Sequence, residues 1–287
     1  MPESPRTTLP AGTRLLSRYV IRGVLGRGGS ATVYEADDTE GDGLCAVKVL
    51  DPEPEHRDAE RERMLREARL LAAVRHDGIV RVRDGGLLDG GRAYLVMERL
   101  DGRTLADRME ECFWLPLDEA VAIAEQLLEA LEAAHAAGVI HRDVKPSNVF
   151  LTRGGARPRT KLIDFGIGVD LGDPTGRLTA PGVVVGTLGY MAPEQLFGDE
   201  PTARSDVYAA GATMYEMLAG RRPFELEAGD VRSVLRAMSR AVEPLATIRP
   251  SIPRPLADGV MRALSRRPGD RHASCRAMRE ACVSRAA

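Results

Sequence analysis

The strongest constraint on the fold is a change of periodicity along the chain. Up to about residue 100, apolar residues come in short β-branched runs broken by glycine clusters; beyond it they recur at helical spacing. Strands are expected at Tyr19–Val24, Thr32–Ala36 and Leu44–Leu50. The segment Glu55–Val74 is highly charged but carries Met64, Leu65, Ala68, Leu71 and Ala72 as one apolar stripe, the pattern of a solvated amphipathic helix. Two more strands, Ile79–Arg83 and Arg92–Glu98, are expected on either side of a glycine-rich turn at Gly85–Gly91. Asp118–Ala137 then places Ala120, Ile123, Ala124, Leu127, Leu128, Leu131 and Ala134 on one broad face, and Gly138 stops the helix. Further helices are expected at Arg204–Ala219 (closed by Gly220 and Pro223), Val231–Ala241, Leu256–Leu264 and Ala273–Ser284. A β-rich first third and an α-rich remainder predict an α+β chain of two unequal lobes that part near Leu100–Gly102. The expected organisation is a flexible lead-in over 1–16, a small lobe over 17–100 and a larger one over 101–287.

Composition removes several function classes. The 287 residues carry 40 basic and 42 acidic side chains, a net charge of −2, whereas a general nucleic-acid or polybasic membrane binder needs a basic surplus. No apolar run approaches the roughly 18 residues of a membrane helix, and Met1–Ser17 lacks the apolar core of a signal peptide. Cys45, Cys112, Cys275 and Cys282 form neither a C-x-x-C pair nor a secreted-type framework. The expectation is a reduced, cytoplasmic protein with no nucleic-acid partner and no membrane segment.

Four motifs carry chemistry. Leu25-Gly26-Arg27-Gly28-Gly29-Ser30-Ala31-Thr32-Val33 lies between two expected strands. Glycines there let backbone N–H groups approach phosphate oxygens, although a plain hairpin has the same look. A dinucleotide-binding segment needs a helix next, and a P-loop needs G-x-x-x-x-G-K-[ST]; neither is present. Lys48, in the otherwise apolar Ala46-Val47-Lys48-Val49, is either a half-buried ammonium needing an acid such as Glu67 or an edge-strand lysine that limits aggregation. His141-Arg142-Asp143-Val144-Lys145-Pro146-Ser147-Asn148 sets a carboxylate among cationic and amide groups, with His141 read as a packed, hydrogen-bonded side chain. Sixteen residues after Asn148, Asp164-Phe165-Gly166 ends the short strand Lys161-Leu162-Ile163. Asp164 and Asn148 together offer the few oxygens that suit Mg²⁺ when phosphates complete the shell. Met191-Ala192-Pro193-Glu194 follows, preceded by Gly186-Thr187.

This ordered set, spread over Tyr19 to Cys282, resembles the eukaryotic-like (Hanks-type) protein kinases, most closely the bacterial serine/threonine kinases. The resemblance implies a bilobal protein-kinase fold and one catalytic domain over 17–285 that transfers the γ-phosphoryl of ATP to protein serine or threonine hydroxyls. The loop at Leu25, Gly26, Gly28 and Val33 would cover the phosphates, with Ala46 lining the nucleotide site. Lys48 would pair the α- and β-phosphates and be held by Glu67. Met97 looks like the gatekeeper, with Glu98 and Leu100 as backbone contacts to adenine. Asp143 would orient the acceptor hydroxyl, Lys145 would neutralise the moving phosphoryl group, and Asn148 and Asp164 would hold Mg²⁺, or Mn²⁺ in its place. Glu194 resembles a residue paired with a late arginine, here Arg271. Asp206 resembles the helix aspartate that braces the catalytic loop, and Leu71, Val82, His141 and Phe165 match an apolar column.

Lys145 and Thr187 look like the serine/threonine class. Arg142 beside the catalytic aspartate implies control by activation-loop phosphorylation, with Thr179 the expected site and Thr175 the second choice. Dimerisation for trans-autophosphorylation is in keeping with that scheme. A pseudokinase would have lost Lys48, Asp143, Asn148 or Asp164, and a small-molecule phosphotransferase generally lacks Ala192-Pro193-Glu194 and the Arg271 partner. The departures are Ala31 at the third glycine, Ser30 at the loop tip and Pro181 where a second acceptor would lie. Alanine restricts positive φ more than glycine does, so a stiffer loop is expected.

Overall fold

The computed structural model describes residues 8–28, 31–41, 43–50, 65, 68, 70–89, 91–153, 159–165, 188–224 and 240–282. The chain divides into two compact units, the first built mainly from residues up to Asp101 and the second mainly from Gly102 onward, with His76–Ile79 joining the second.

The first unit is one antiparallel sheet. Its strands are β1 (Arg14–Leu15), β2 (Tyr19–Arg27), β3 (Ala31–Asp38), β4 (Gly43–Leu50), β5 (Val82–Leu87) and β6 (Ala93–Glu98), in the order β1-β2-β3-β4-β6-β5. One face is the core, where Tyr19, Ile21, Tyr34, Cys45, Val47, Val49 and Val96 pack together. Two acids tie the sheet's polar edges. Asp38 takes a two-pronged bond from Arg18 at 2.6 and 2.8 Å, and Asp84 accepts the hydroxyls of Tyr19 (2.9 Å) and Tyr94 (3.3 Å).

Two details differ from expectation. Two residues near the end of the lead-in are part of the sheet: Arg14 and Leu15 pair with Val20 and Tyr19, and Leu15 is buried. The expected strand at 79–83 begins at Val82 and runs through Gly85 and Gly86, which pair with Leu95 and Tyr94. Its glycines serve close packing: a Cβ on either would lie 3.1 Å from the side chain of its own cross-strand partner. The turn is correspondingly confined to the residues after Leu87. Of the charged helix, residues 70–73 are helical and Ala68 and Leu71 are buried, while Glu67 and Met64 lie outside the described residues.

The second unit is mainly helical. Its described helices are α1 (Leu105–Met109), α2 (Leu117–Ala136), α3 (Pro193–Leu196), α4 (Ala203–Ala219), α5 (Leu245–Ile248), α6 (Arg254–Ala263) and α7 (Cys275–Cys282). A small antiparallel sheet joins β7 (Gly102–Thr104), β8 (Val149–Thr152) and β9 (Arg159–Leu162). Helix α2 buries Leu127, Leu128 and Leu131 completely, as its 3.6-residue stripe requires. Helix α4 is buried on almost every side, the mark of a central helix, and Gly211 lets it approach α6 so closely that a Cβ would sit 2.7 Å from that of Ala263. It ends at Gly220, whose φ of 71° is the left-handed conformation that glycine adopts at least cost. The helix expected at 231–241 falls almost wholly outside the described residues.

A buried ion pair locks α3 to the C-terminal part of this unit. Arg271, whose side chain is fully buried, donates to both carboxylate oxygens of Glu194 at 2.6 and 2.7 Å. Its remaining donors reach the carbonyls of Ser265, Arg204 and Arg266, and its guanidinium lies 4.9 Å over the Tyr208 ring. Burial alone raises the Glu194 pKa, but the bonds from Arg271 and Ser205 outweigh it and hold the carboxyl below its usual range. Replacing Arg271 with methionine keeps most of the volume and strands the carboxylate. The variant is expected to lose about 3–5 kcal/mol of stability in urea unfolding, and a loss below about 1 kcal/mol would show the pair to be a surface-type contact.

Candidate active site

The residues expected to meet a nucleotide lie on the sheet of the first unit. In antiparallel pairing, directly opposed residues share a face. Val33 opposes Gly26 and Lys48, and Ala46 opposes Met97. Lys48 and Ala46 are two apart on β4, so Gly26, Val33, Ala46, Lys48 and Met97 all present the face opposite the aromatic core. Met97 and Ala46 are buried, and Lys48 is half-buried between Val33 and Leu95. Strand β4 lies between β3 and β6, which removes the edge-strand reading of Lys48. The glycine segment is a β2–β3 hairpin: Arg27 opposes Thr32, and the Gly28 N–H donates to the Ala31 carbonyl at 2.8 Å. Leu25 is exposed, and Ala31 begins β3 opposite Leu50. At the end of β6, Glu98 exchanges bonds with the Arg81 backbone, and Arg99 pairs with Glu35 at 2.9 Å and with the Leu100 carbonyl.

The second unit holds the loop His141–Asn148. Its backbone hangs on the Asp206 carboxylate, which is 1% exposed and sits in the first turn of α4. One oxygen accepts the His141 N–H at 2.8 Å and the His135 ring at 2.7 Å, and the other accepts the Arg142 N–H at 2.9 Å. Arg142 has φ of 71°, unusual for a side chain of its size. It is therefore a turn that exists because its neighbours hold it. His141 is fully buried, stacks 4.4 Å from Phe165 and contacts the Ile163 carbonyl through Nε2 at 3.1 Å. Its Nδ1 accepts the Asp143 N–H at 3.3 Å, so the ring packs and positions, as read from the sequence.

Held this way, Asp143 projects from a loop bonded along its backbone. Its Oδ2 receives the Lys145 ammonium at 2.8 Å and the Asn148 amide at 2.9 Å. The same Asn148 nitrogen donates to the Asp143 carbonyl at 2.8 Å. Pro146 opens the one-turn helix Pro146–Asn148, and the Ile163 N–H bonds the Asn148 carbonyl at 3.0 Å, tying the loop to the segment between β9 and Asp164. Asp164 itself has φ of 53°. Thr175, Thr179 and Thr187, like Glu67, lie outside the described residues. One residue that the motif reading missed also reaches the loop: Gln195 of α3 donates to the Arg142 carbonyl at 3.1 Å. Only the contact reveals it, because 53 residues separate the two.

His141 gives this unit a pH dependence. Burial lowers its pKa, more than the nearby Asp206 and Asp143 charges raise it, and burial lowers that of His272 as well. In the unfolded chain both rings titrate near the ordinary value of about 6.5. As pH falls through that value the unfolded chain takes up protons that the folded chain resists, so stability is full above it and lost below. Urea unfolding is expected to give a lower free energy at pH 5 than at pH 7.5. An equal or higher value at pH 5 would show that these rings are not held neutral.

A family profile described as protein kinase domain matches residues 19–282. Serine/threonine-protein kinase PknH of Mycobacterium bovis is 38% identical over 256 residues, 89% of this chain and 42% of its own length. Serine/threonine-protein kinase PksC of Streptomyces coelicolor is 38% identical over 277 residues, 94% of this chain and 49% of its own. The chain thus spans between two fifths and half of these curated relatives. Among solved structures, the PknI kinase domain of Mycobacterium tuberculosis aligns with a TM-score of 0.76 at 31% identity, covering 98% of this chain and all of that one. With a β-rich unit followed by a helical one, and this motif set in order, the chain belongs to the protein kinase domain family, in its bacterial Hanks-type serine/threonine branch.

Proposed function

We propose that this chain forms one catalytic domain over residues 17–285 and transfers the γ-phosphoryl group of ATP to serine and threonine hydroxyls of proteins. The observation that carries this reading is the convergence of Lys145 and Asn148 on Oδ2 of Asp143, in a loop whose backbone is gripped from beneath by Asp206. Phosphoryl transfer asks a protein for placement and charge neutralisation more than for covalent chemistry. Asp143, with two donors on Oδ2, orients the acceptor hydroxyl through Oδ1 and takes its proton as the new oxygen–phosphorus bond forms and the bond from the γ-phosphorus to the bridging oxygen breaks, releasing ADP. Lys145, anchored at Asp143, balances the negative charge that builds on the transferred group.

The family uses ATP and a divalent metal, and the residues here suit Mg²⁺. The Asn148 nitrogen is spent on Asp143, which leaves the amide oxygen, the donor a hard cation takes, and Asp164 supplies a carboxylate. The remaining ligands would come from phosphates and water; once bound, the ion neutralises charge on the β- and γ-phosphates. Mn²⁺ has the same ligand preference. Gly26, Gly28 and Val33 cover the phosphates, Lys48 pairs with them with Glu67 as its partner, and Ala46, Leu25 and Met97 line the base, with Glu98 and Leu100 bonding it through their backbone. No described helix is long and apolar enough to cross a membrane. We place the domain in the cytoplasm, where ATP and reduced thiols are both found. Phosphorylation of Thr179, with Thr175 second, adds charge that pairs with Arg142. Thr187 contacts the acceptor segment, and the modification passes between two copies.

Incubation with Mg²⁺, ATP and a generic basic protein, read by phosphosite mass spectrometry, tests this. Wild type is expected to yield phosphoserine and phosphothreonine, with Thr179 among its own sites. Asp143→Asn is expected to lose about 10²–10⁴-fold in rate, the range for removing a positioned general base. Undiminished incorporation by Asp143→Asn would remove Asp143 from the chemistry.

A further inference from the structure

Arg142 is held at both of its peptide groups, and the two holders come from different helices. Its N–H is taken by Asp206 of α4 at 2.9 Å, and its carbonyl is taken by Gln195 of α3 at 3.1 Å. That carbonyl belongs to the peptide that continues directly into Asp143. The Gln195 amide has one consistent orientation, because its oxygen accepts the Ala192 N–H at 3.1 Å while its nitrogen faces Arg142. Gln195 is 4% exposed, so neither bond is exchanged for water at low cost. The helix turn that carries it is pinned one residue earlier, where Glu194 is bonded to Arg271 and to the Ser205 hydroxyl.

A non-glycine residue at positive φ persists only where its surroundings over-determine it. Asp206 fixes one side of the Arg142 turn, and the peptide between Arg142 and Asp143 is held at its carbonyl by Gln195 at 3.1 Å and at its N–H by the His141 ring at 3.3 Å, so without Gln195 only the longer of these two bonds restrains it. We infer that Gln195 is a positioning residue for the catalytic loop, acting through the Arg142 carbonyl to fix the peptide that carries Asp143. This inference rests on the role given above to Asp143.

Gln195→Glu and Gln195→Met separate the two bonds. Glutamate keeps an acceptor for the Ala192 N–H but has no donor for Arg142; methionine keeps neither. The first readout is amide hydrogen exchange at residues 141–143, which needs no turnover. Both variants are expected to lose protection there about tenfold, the equivalent of one lost hydrogen bond, with protection in α4 retained. The second readout is kinetic: kcat is expected to fall about tenfold in both, with KM for ATP unchanged. A residue that only holds α3 together would leave Gln195→Glu like wild type, and unchanged protection at 141–143 in that variant overturns the inference. If wild type itself transfers no phosphate, the kinase reading fails, while the exchange result still decides the place of Gln195. Should Gln195→Glu not fold, Gln195→Met decides: lost protection at 141–143 with α3 still protected supports the inference, and unchanged protection at 141–143 overturns it.

Discussion

One buried carboxylate does most of the organising in the second unit. Asp206 is almost inaccessible to water, and a bare charge in such a place is very costly unless it is fully hydrogen-bonded. Here it is answered by two backbone N–H groups and an imidazole. Those two N–H groups belong to consecutive residues of the loop, so satisfying the carboxylate and bending the backbone are the same event. The positive φ at Arg142 follows, and with it the direction in which Asp143 leaves the loop. The charge is thus balanced by structure, and the structure it imposes is the one the proposed chemistry uses.

Around this centre the polar contacts form layers with different tasks. The inner layer, Lys145 and Asn148 on Asp143, arranges the groups proposed to act on a substrate. The next layer holds the loop: Asp206 beneath, His141 and Ile163 at its side, Gln195 across its carbonyl. The outer layer fixes the holders, with Arg271 gripping Glu194 beside Gln195. Apolar packing supplies the frame, since Asp206 sits in the first turn of a helix buried on nearly every side. Contacts thus run from a fully buried arginine far along the chain, through Glu194 and its neighbour Gln195, to a loop near its middle.

Much of this was legible in the sequence, for identifiable reasons. The helix expected at Asp118–Ala137 is found at Leu117–Ala136, and that expected at Arg204–Ala219 at Ala203–Ala219, because long apolar stripes with glycine stops over-determine such helices. The loop around Asp143 could be read from its density of charge. Short elements could not: β1 is two residues long and exists through its pairing with β2, and α5 is a single turn with no side-chain cap. Gly85 and Gly86 carry the composition of a turn but lie in a strand, because a glycine kept for tight packing looks the same in sequence as one kept for bending. Gln195 carries no local sign of its task.

The course of the loop depends most directly on Asp206, so Asp206→Asn is the decisive variant. Asparagine keeps the shape but replaces one acceptor oxygen with a donor, so one of the two loop N–H groups must lose its partner. With folding confirmed by near-UV circular dichroism, nucleotide affinity is expected to stay near wild type while kcat falls by about 10²-fold, the scale of a misplaced reacting group. A folded variant whose kcat stays within about twofold of wild type, too small to reflect the lost bond, would contradict the claim that this carboxylate shapes the catalytic loop.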